Sequence, residues 1–337
     1  MKEAMLYEKL ENNEVRCALC AHRCLIKPGR LGICGVRENR DGILYSLVYA
    51  QTVSANVDPI EKKPLYHFLP GTGAFSIATV GCNFRCAFCQ NADISQASKG
   101  GGWGRWGQEL PPEQVVNLAQ KHRCASIAYT YTEPTIFFEY AYDTAKIATE
   151  RDIKNVFVTN GYMTEEALRE IEPYLDAANV DLKGFTDEFY RRTCGAQLQP
   201  VLDSIRLMHQ MGVLVEVTTL IVPGHNDSDE ELRRIARFLA DISLDLPWHI
   251  SRFVPHYKMT DVPPTPVETL HRAAEIGYET GLRYVYAGNV PGDRYESTYC
   301  PNCREIAVQR FGYHTQVKLD GNRCKNCGYQ LALVTER

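Results

Sequence analysis

Short apolar, β-favouring runs alternate along most of the chain with longer stretches whose apolar positions recur at helical spacing. Phe75–Val80, Ala125–Tyr129, Asn155–Thr159, Ala178–Gly184, Val213–Val222, His249–Val254 and Leu282–Asn289 read as strands. Helices are predicted between them: one opening at Pro111 and Pro112, then Ile136 to Glu150, Thr164 to Leu175 with a threonine cap, Pro200 to Met211, and Glu231 to Ala240. Strands separated by helices of this length predict βα repeats on a parallel sheet. The expected fold class is α/β, a partial (β/α)6-7 TIM-like barrel open enough for a large substrate. Cysteine-rich ends flank it, so three regions are expected: a metal-binding segment over 1–42, the barrel over 43–294 and a zinc-ribbon module over 295–337. Asp58–Phe68 sets charge beside aromatics and reads as a surface connector into the first barrel strand.

Composition narrows the class without changing the fold. A chain of 337 residues, 45% hydrophobic and 23% charged, suits a globular protein of one barrel with appendages. A net charge of −4 with no long basic run gives no electrostatic case for nucleic acid. No apolar run approaches the roughly 18 residues of a membrane span, and the start carries acids where a secretory signal needs an apolar core. The cytoplasm is the expected compartment. There, 13 cysteines point to metal ligation rather than disulfides.

Those cysteines fall into three groups. Cys82, Cys86 and Cys89, spaced C-x3-C-x2-C, follow a strand and so sit at the carboxyl end of a sheet, where α/β folds hold ligands. Three thiolates on an iron–sulfur cluster leave one iron open; a zinc loop or coincidence is the alternative. Cys17, Cys20, Cys24 and Cys34 lie in a segment with too little apolar content for its own core, so a metal is expected to hold it. Zinc and an auxiliary iron–sulfur cluster both fit, and His22 among them offers a substitute ligand or a surface imidazole. Cys300, Cys303, Cys324 and Cys327 form two C-x2-C pairs spaced as in a zinc ribbon, with a rubredoxin-like iron site as alternative. Gly100–Gly107, with Trp103 and Trp106, suits a lid or a surface turn. Cys194 is a lone thiol, a hydrogen-atom donor or a small hydrophobe. Pro134 stops the second strand and leaves Glu133 at its carboxyl end. Asp181 and Lys183 share one strand face, as an ion pair or as a site for a carboxylate.

The three-cysteine spacing with Phe88 before the last cysteine resembles the signature of radical S-adenosylmethionine enzymes. The resemblance implies a [4Fe-4S] cluster whose open iron is chelated by the methionine moiety of S-adenosylmethionine. One electron then breaks a carbon–sulfur bond, and a 5′-deoxyadenosyl radical abstracts hydrogen from a protein or small-molecule substrate. It also implies cofactor contacts at Phe88 and Asn91. Tyr131-Thr132-Glu133 is similar to the Gly-Gly-Glu-like tripeptide that binds the methionine amino group. Asp181-Leu182-Lys183 and His256 are similar to the residues of glycyl-radical activating enzymes near the methionine carboxylate, although Val158 stands where those enzymes have an aspartate. Over its length the chain resembles the radical enzyme of the AmmeMemoRadiSam system, through Cys17-x-Leu19-Cys20-x-His22-x-Cys24, Cys89–Gln96, Tyr131–Thr135 and Ser251-Arg252-Phe253-x-Pro255-x-Tyr257-Lys258. Implied partners are a one-electron donor such as flavodoxin or ferredoxin, and Memo-type and AMMECR1-type proteins. Two further readings stay open. Activation of a glycyl-radical enzyme lacks the ferredoxin-like cysteine insert after Cys89, and a non-enzymatic iron–sulfur or zinc scaffold leaves Glu133, Lys183 and His256 unexplained.

Overall fold

A computed structural model describes residues 1–100 and 107–336; Trp103 and Trp106, of the stretch read as a lid or a surface turn, lie outside the described residues. Eight strands form the central sheet: β1 Ser54–Pro59, β2 Gly73–Ala78, β3 Ser126–Tyr129, β4 Lys154–Thr159, β5 Ala177–Asp181, β6 Leu214–Ile221, β7 Trp248–Arg252 and β8 Val285–Gly288. They lie side by side in chain order. β2 to β8 are parallel and β1 adds an antiparallel edge on β2. The connections carry α1 Pro112–Lys121, α2 Phe138–Glu150, α3 Glu165–Ile171, α4 Gln199–Gln210, α5 Asp229–Ile242 and α6 Val267–Glu279. Local chemistry starts them as expected: Pro112 opens α1, and the Thr164 and Ser228 hydroxyls accept from backbone amides of α3 and α5. α6 was not anticipated from the sequence. No helix among the described residues is long and apolar enough to cross a membrane.

The first 42 residues contribute short antiparallel strands, including Tyr7–Lys9, Val15–Cys17 and Leu25–Ile26, and they do not stand apart. Val15, Leu19, Ile26 and Val36 are buried in the same apolar core as α2 and α3. Arg37 and Glu139, exposed by 2% and 0%, form a bidentate ion pair with contacts of 2.6 and 3.0 Å. The packing therefore holds this segment where a metal alone was expected to. The connector reading of Asp58–Phe68 also fails, because Asp58, Glu61 and Lys63 are all buried. Asp58 pairs with Lys62 at 2.8 Å and with Lys63 at 2.7 Å.

The carboxy-terminal residues pack at the opposite end of the sheet from the cluster loop. Glu216, near the start of β6, accepts from the Tyr66 and His67 amides and from His249 Nε2 at 2.6 Å. His67 Nδ1 donates to the Ala332 carbonyl and its Nε2 accepts from the Tyr286 hydroxyl, both at 2.7 Å. Arg310 donates to Thr298 and to the Tyr66 carbonyl. A small apolar cluster of Tyr284, Val308, Leu331 and Leu333 fills the space around this network.

Candidate active site

Past β2 the chain turns at Gly81, whose φ of +102° and close approach to Val36 exclude a side chain: a Cβ would lie 2.8 Å from Val36 Cγ1. The loop that follows is pinned by backbone hydrogen bonds, Arg85 N to Cys194 O at 2.9 Å and Ala87 N to Thr193 O at 3.0 Å. Cys82, Cys86 and Cys89 line one cleft at the carboxyl ends of the parallel strands, together with Glu133 and Lys183. The Phe84 amide stands 3.3 Å from Cys82 Sγ, and the Ser95 hydroxyl 3.2 Å from Cys89 Sγ. Burial pushes the Cys82 and Cys89 thiols up. Cys86 is raised by its hydrogen bond with the Cys194 thiol and then by burial. Three soft donors converging on a cleft, with polar groups at their sulfurs, fit an iron–sulfur cluster, which would have to displace their protons.

Glu133 is fully buried, and its carboxylate ties two strand ends together. Oε1 accepts from the Thr135 amide and hydroxyl at 3.0 and 2.6 Å and from the Thr159 hydroxyl at 2.7 Å; Oε2 accepts from the Asn160 amide at 2.8 Å. Burial raises its pKa, and these donors hold the rise back. Oε2 keeps lone-pair capacity on the cleft side. Tyr131 takes a φ of +63°, a conformation that glycine adopts freely and other residues adopt at a cost of about 1–2 kcal/mol. Two contacts hold it there: its hydroxyl donates to Asp58, and Lys63 Nζ lies 4.3 Å from its ring centroid. Thr132 Oγ1 donates to the Thr79 carbonyl, and Asn91 Nδ2 to the Tyr131 carbonyl at 2.8 Å.

Asp181 and Lys183 do share a face, in a 2.8 Å ion pair on the cleft. Burial works against the Lys183 charge, but Asp181 and the Cys86 thiol push its pKa well up. Its Nζ stands 5.8 Å from the Phe88 ring centroid, and Phe88 stacks on Phe189. Val158 lines the cleft too, so no carboxylate at that position offers a cation site.

Other expected residues lie elsewhere. His256 sits in a tight turn bridged to Met259 and does not line the cleft. Cys194 is completely buried, with its thiol against Cys86, and does not itself line the cleft. His22 is half-buried, with Nε2 on the Asn83 carbonyl at 2.9 Å. Cys17, Cys20, Cys24 and Cys34 line a second cavity. The sulfurs of Cys300, Cys303, Cys324 and Cys327 lie within 4.8 Å of one another, a group that could hold one metal ion.

Sequence reasoning missed Lys62 and Lys63 as cleft residues. Lys63 is 1% exposed, and burial brings its pKa down to about 8 against the pull of Asp58. Burial alone would raise Asp58, yet donors on Lys62, Lys63 and Tyr131 hold it well below the carboxylate range. The signal was the run Asp58-Pro59-Ile60-Glu61-Lys62-Lys63-Pro64, too dense in charge for a strand lead-in. Asn160 was also missed; besides its bond to Glu133, its Nδ2 donates to Asn83 Oδ1 at 2.7 Å.

The Radical SAM superfamily matches residues 76–239 of the chain. An uncharacterized protein of Methanocaldococcus jannaschii is 47% identical over 338 residues, covering 99% of this chain and 100% of that protein. The pyruvate formate-lyase 1-activating enzyme of Escherichia coli is 23% identical over 226 residues, 61% of this chain and 89% of its own. Among solved structures, a radical SAM methyltransferase from Sphaerobacter thermophilus aligns with a TM-score of 0.49 and 16% identity, over 68% of this chain and 70% of that one.

Proposed function

Because this chain belongs to the radical SAM superfamily and is related to pyruvate formate-lyase-activating enzymes, we propose that its cleft performs hydrogen abstraction on a protein or small-molecule substrate. The observation that carries the reading is the meeting of Cys82, Cys86 and Cys89 with Glu133 and Lys183 in one cleft. A 4Fe–4S cluster held by those cysteines would supply, with S-adenosylmethionine, one-electron cleavage to methionine and a 5′-deoxyadenosyl radical. The residues around it would do the positioning. Glu133 Oε2 would accept from the methionine ammonium, Lys183 would meet the carboxylate, and Phe88 and Asn91 would order the cysteine loop. The Asp181 partner keeps Lys183 charged in a buried place.

In this reading the central sheet is one wall of a partial barrel. Parallel strands in chain order, joined by right-handed connections, put their helices on one face and leave the other to line the cleft. The carboxy-terminal cysteines hold zinc and residues 295–337 form a ribbon, while residues 1–42 carry a further metal. The electron comes from flavodoxin or ferredoxin, and Memo-type and AMMECR1-type proteins are the partners to test first. Activation of a glycyl-radical enzyme is the second reading, favoured by the similarity to the Escherichia coli enzyme over 226 residues.

Electron paramagnetic resonance tests the site. Adding S-adenosylmethionine to the reduced, reconstituted protein should change the cluster spectrum, and Lys183→Met should weaken that response. An unchanged spectrum in the parent protein would contradict an open iron at the three cysteines.

A further inference from the structure

Cys17, Cys20, Cys24 and Cys34 line one cavity, and two other residues of that cavity carry buried donors that meet no acceptor: Arg37 Nε and Asn83 Nδ2. Arg37 is 2% exposed, with its terminal nitrogens committed to Glu139 and the Met5 carbonyl. A buried donor without an acceptor is costly. No cysteine sulfur stands within hydrogen-bond reach of either donor, so the acceptor has to come from the group the cavity holds, and the sulfides of an iron–sulfur cluster would be such acceptors.

The placement of the sulfurs separates the possible metals. Four thiolates on one zinc ion, each at about 2.3 Å, must crowd within about 4 Å of one another. The carboxy-terminal four are so arranged, with Cys300 to Cys327 and Cys303 to Cys324 both at 3.6 Å. Among the described residues the amino-terminal four form no such group, and neither do Cys82, Cys86 and Cys89. A spread set around a shared cavity is what a cluster requires, because each thiolate then binds a different iron.

The two spread sets adjoin. Asn83 follows Cys82 directly, lines the amino-terminal cavity and accepts a hydrogen bond from His22 at 2.9 Å. Thr135, on the wall of that same cavity, donates to Glu133 of the cleft. A single layer of residues therefore separates the two sites.

We infer that Cys17, Cys20, Cys24 and Cys34 hold a second iron–sulfur cluster, which relays single electrons through the His22–Asn83 contact to the cluster on Cys82, Cys86 and Cys89. The relay rests on the radical reading of the cleft; the second cluster does not. Each transfer oxidises the amino-terminal cluster by one electron and reduces the cleft cluster by one. A reduced flavodoxin or ferredoxin restores the first, and no bond or proton moves.

Metal counting on the full-length protein, reconstituted anaerobically with iron and sulfide, tests the second cluster. About eight irons and one zinc are expected, with about four irons kept in Cys86→Ala and about four in Cys20→Ser. About four irons in the parent, all lost in Cys86→Ala, would overturn the second cluster and leave the cleft reading standing. About four irons lost in Cys20→Ser and kept in Cys86→Ala would support the second cluster and sink the cleft reading instead. If Cys20→Ser does not fold, the parent and Cys86→Ala counts decide. For the relay, the reduced parent should show two paramagnetic centres broadening each other's resonance signals; two independent, unbroadened signals would overturn it.

Discussion

Glu133 lies four residues past the end of β3 and caps the short 3-10 turn that Pro134 opens; a polar position beyond the strand is legible locally, since proline cannot continue a strand ladder. Its anchoring role is not, because Thr159 and Asn160 arrive from the next strand and only the fold makes them partners. This changes what a substitution does. In Glu133→Gln the new amide group would face the Asn160 N–H, donor against donor, so the variant should lose about 1–3 kcal/mol of stability as well as affinity for S-adenosylmethionine. Thermal unfolding and equilibrium binding measured on one preparation check both; full affinity with lowered stability would make the carboxylate purely structural. Tyr131 teaches the same lesson. Its left-handed backbone could not be read from its side chain, because the hydroxyl and ring contacts that hold it come from the distant Asp58 and Lys63.

Among elements, the seven parallel strands and five of the helices were legible because their apolar periods are strong, whereas β1, with the polar sequence Ser54-Ala55-Asn56-Val57-Asp58-Pro59, was not. α6 was not, since Pro263, Pro264 and Pro266 crowd its start and small residues, Ala273, Ala274 and Gly277, make up most of its inner face beside Leu270 and Ile276. That face is small for a reason: a Cβ on Gly277 would lie 2.8 Å from Val285 and 3.2 Å from Trp248. The four carboxy-terminal cysteines were legible as a group that could hold one metal ion, but the seat of these residues beneath the sheet was not. That seat makes acid sensitivity a test. Burial brings His67 down to about 4 from an ordinary 6.5, so the unfolded chain binds the extra proton between those values. Stability should therefore be complete above pH 6.5 and fall as pH drops toward 4. A His67→Asn variant should show a shallower fall of the thermal midpoint over that window; an equal slope would assign the acid response elsewhere. The proposed zinc would act on the same seat. Cys300→Ser should cost bound zinc and lower the thermal midpoint of the whole chain, because Cys300 shares an apolar cluster with Tyr66, Tyr284 and Tyr286. Bound zinc equal to the parent's would remove the ribbon.

For the whole molecule, the order of strands decides where chemistry can happen. Parallel strands in sequence bring the loops after β2, β3 and β5 to one rim, so residues far apart in the chain meet in one cleft, while carboxy-terminal residues pack against the other end. The three-cysteine loop pointed to the radical SAM class, but the burial of the amino-terminal segment against the helices of the central sheet could not be seen from its cysteines, since its apolar residues are few and find their partners on α2 and α3. The central claim is that three cysteines leave an iron free for S-adenosylmethionine. The most direct measurement is chromatographic detection of 5′-deoxyadenosine from the anaerobic, reduced protein given S-adenosylmethionine alone. The parent protein should release 5′-deoxyadenosine and methionine in equal amounts and Cys86→Ala should release neither, whereas undiminished cleavage by Cys86→Ala would contradict the account.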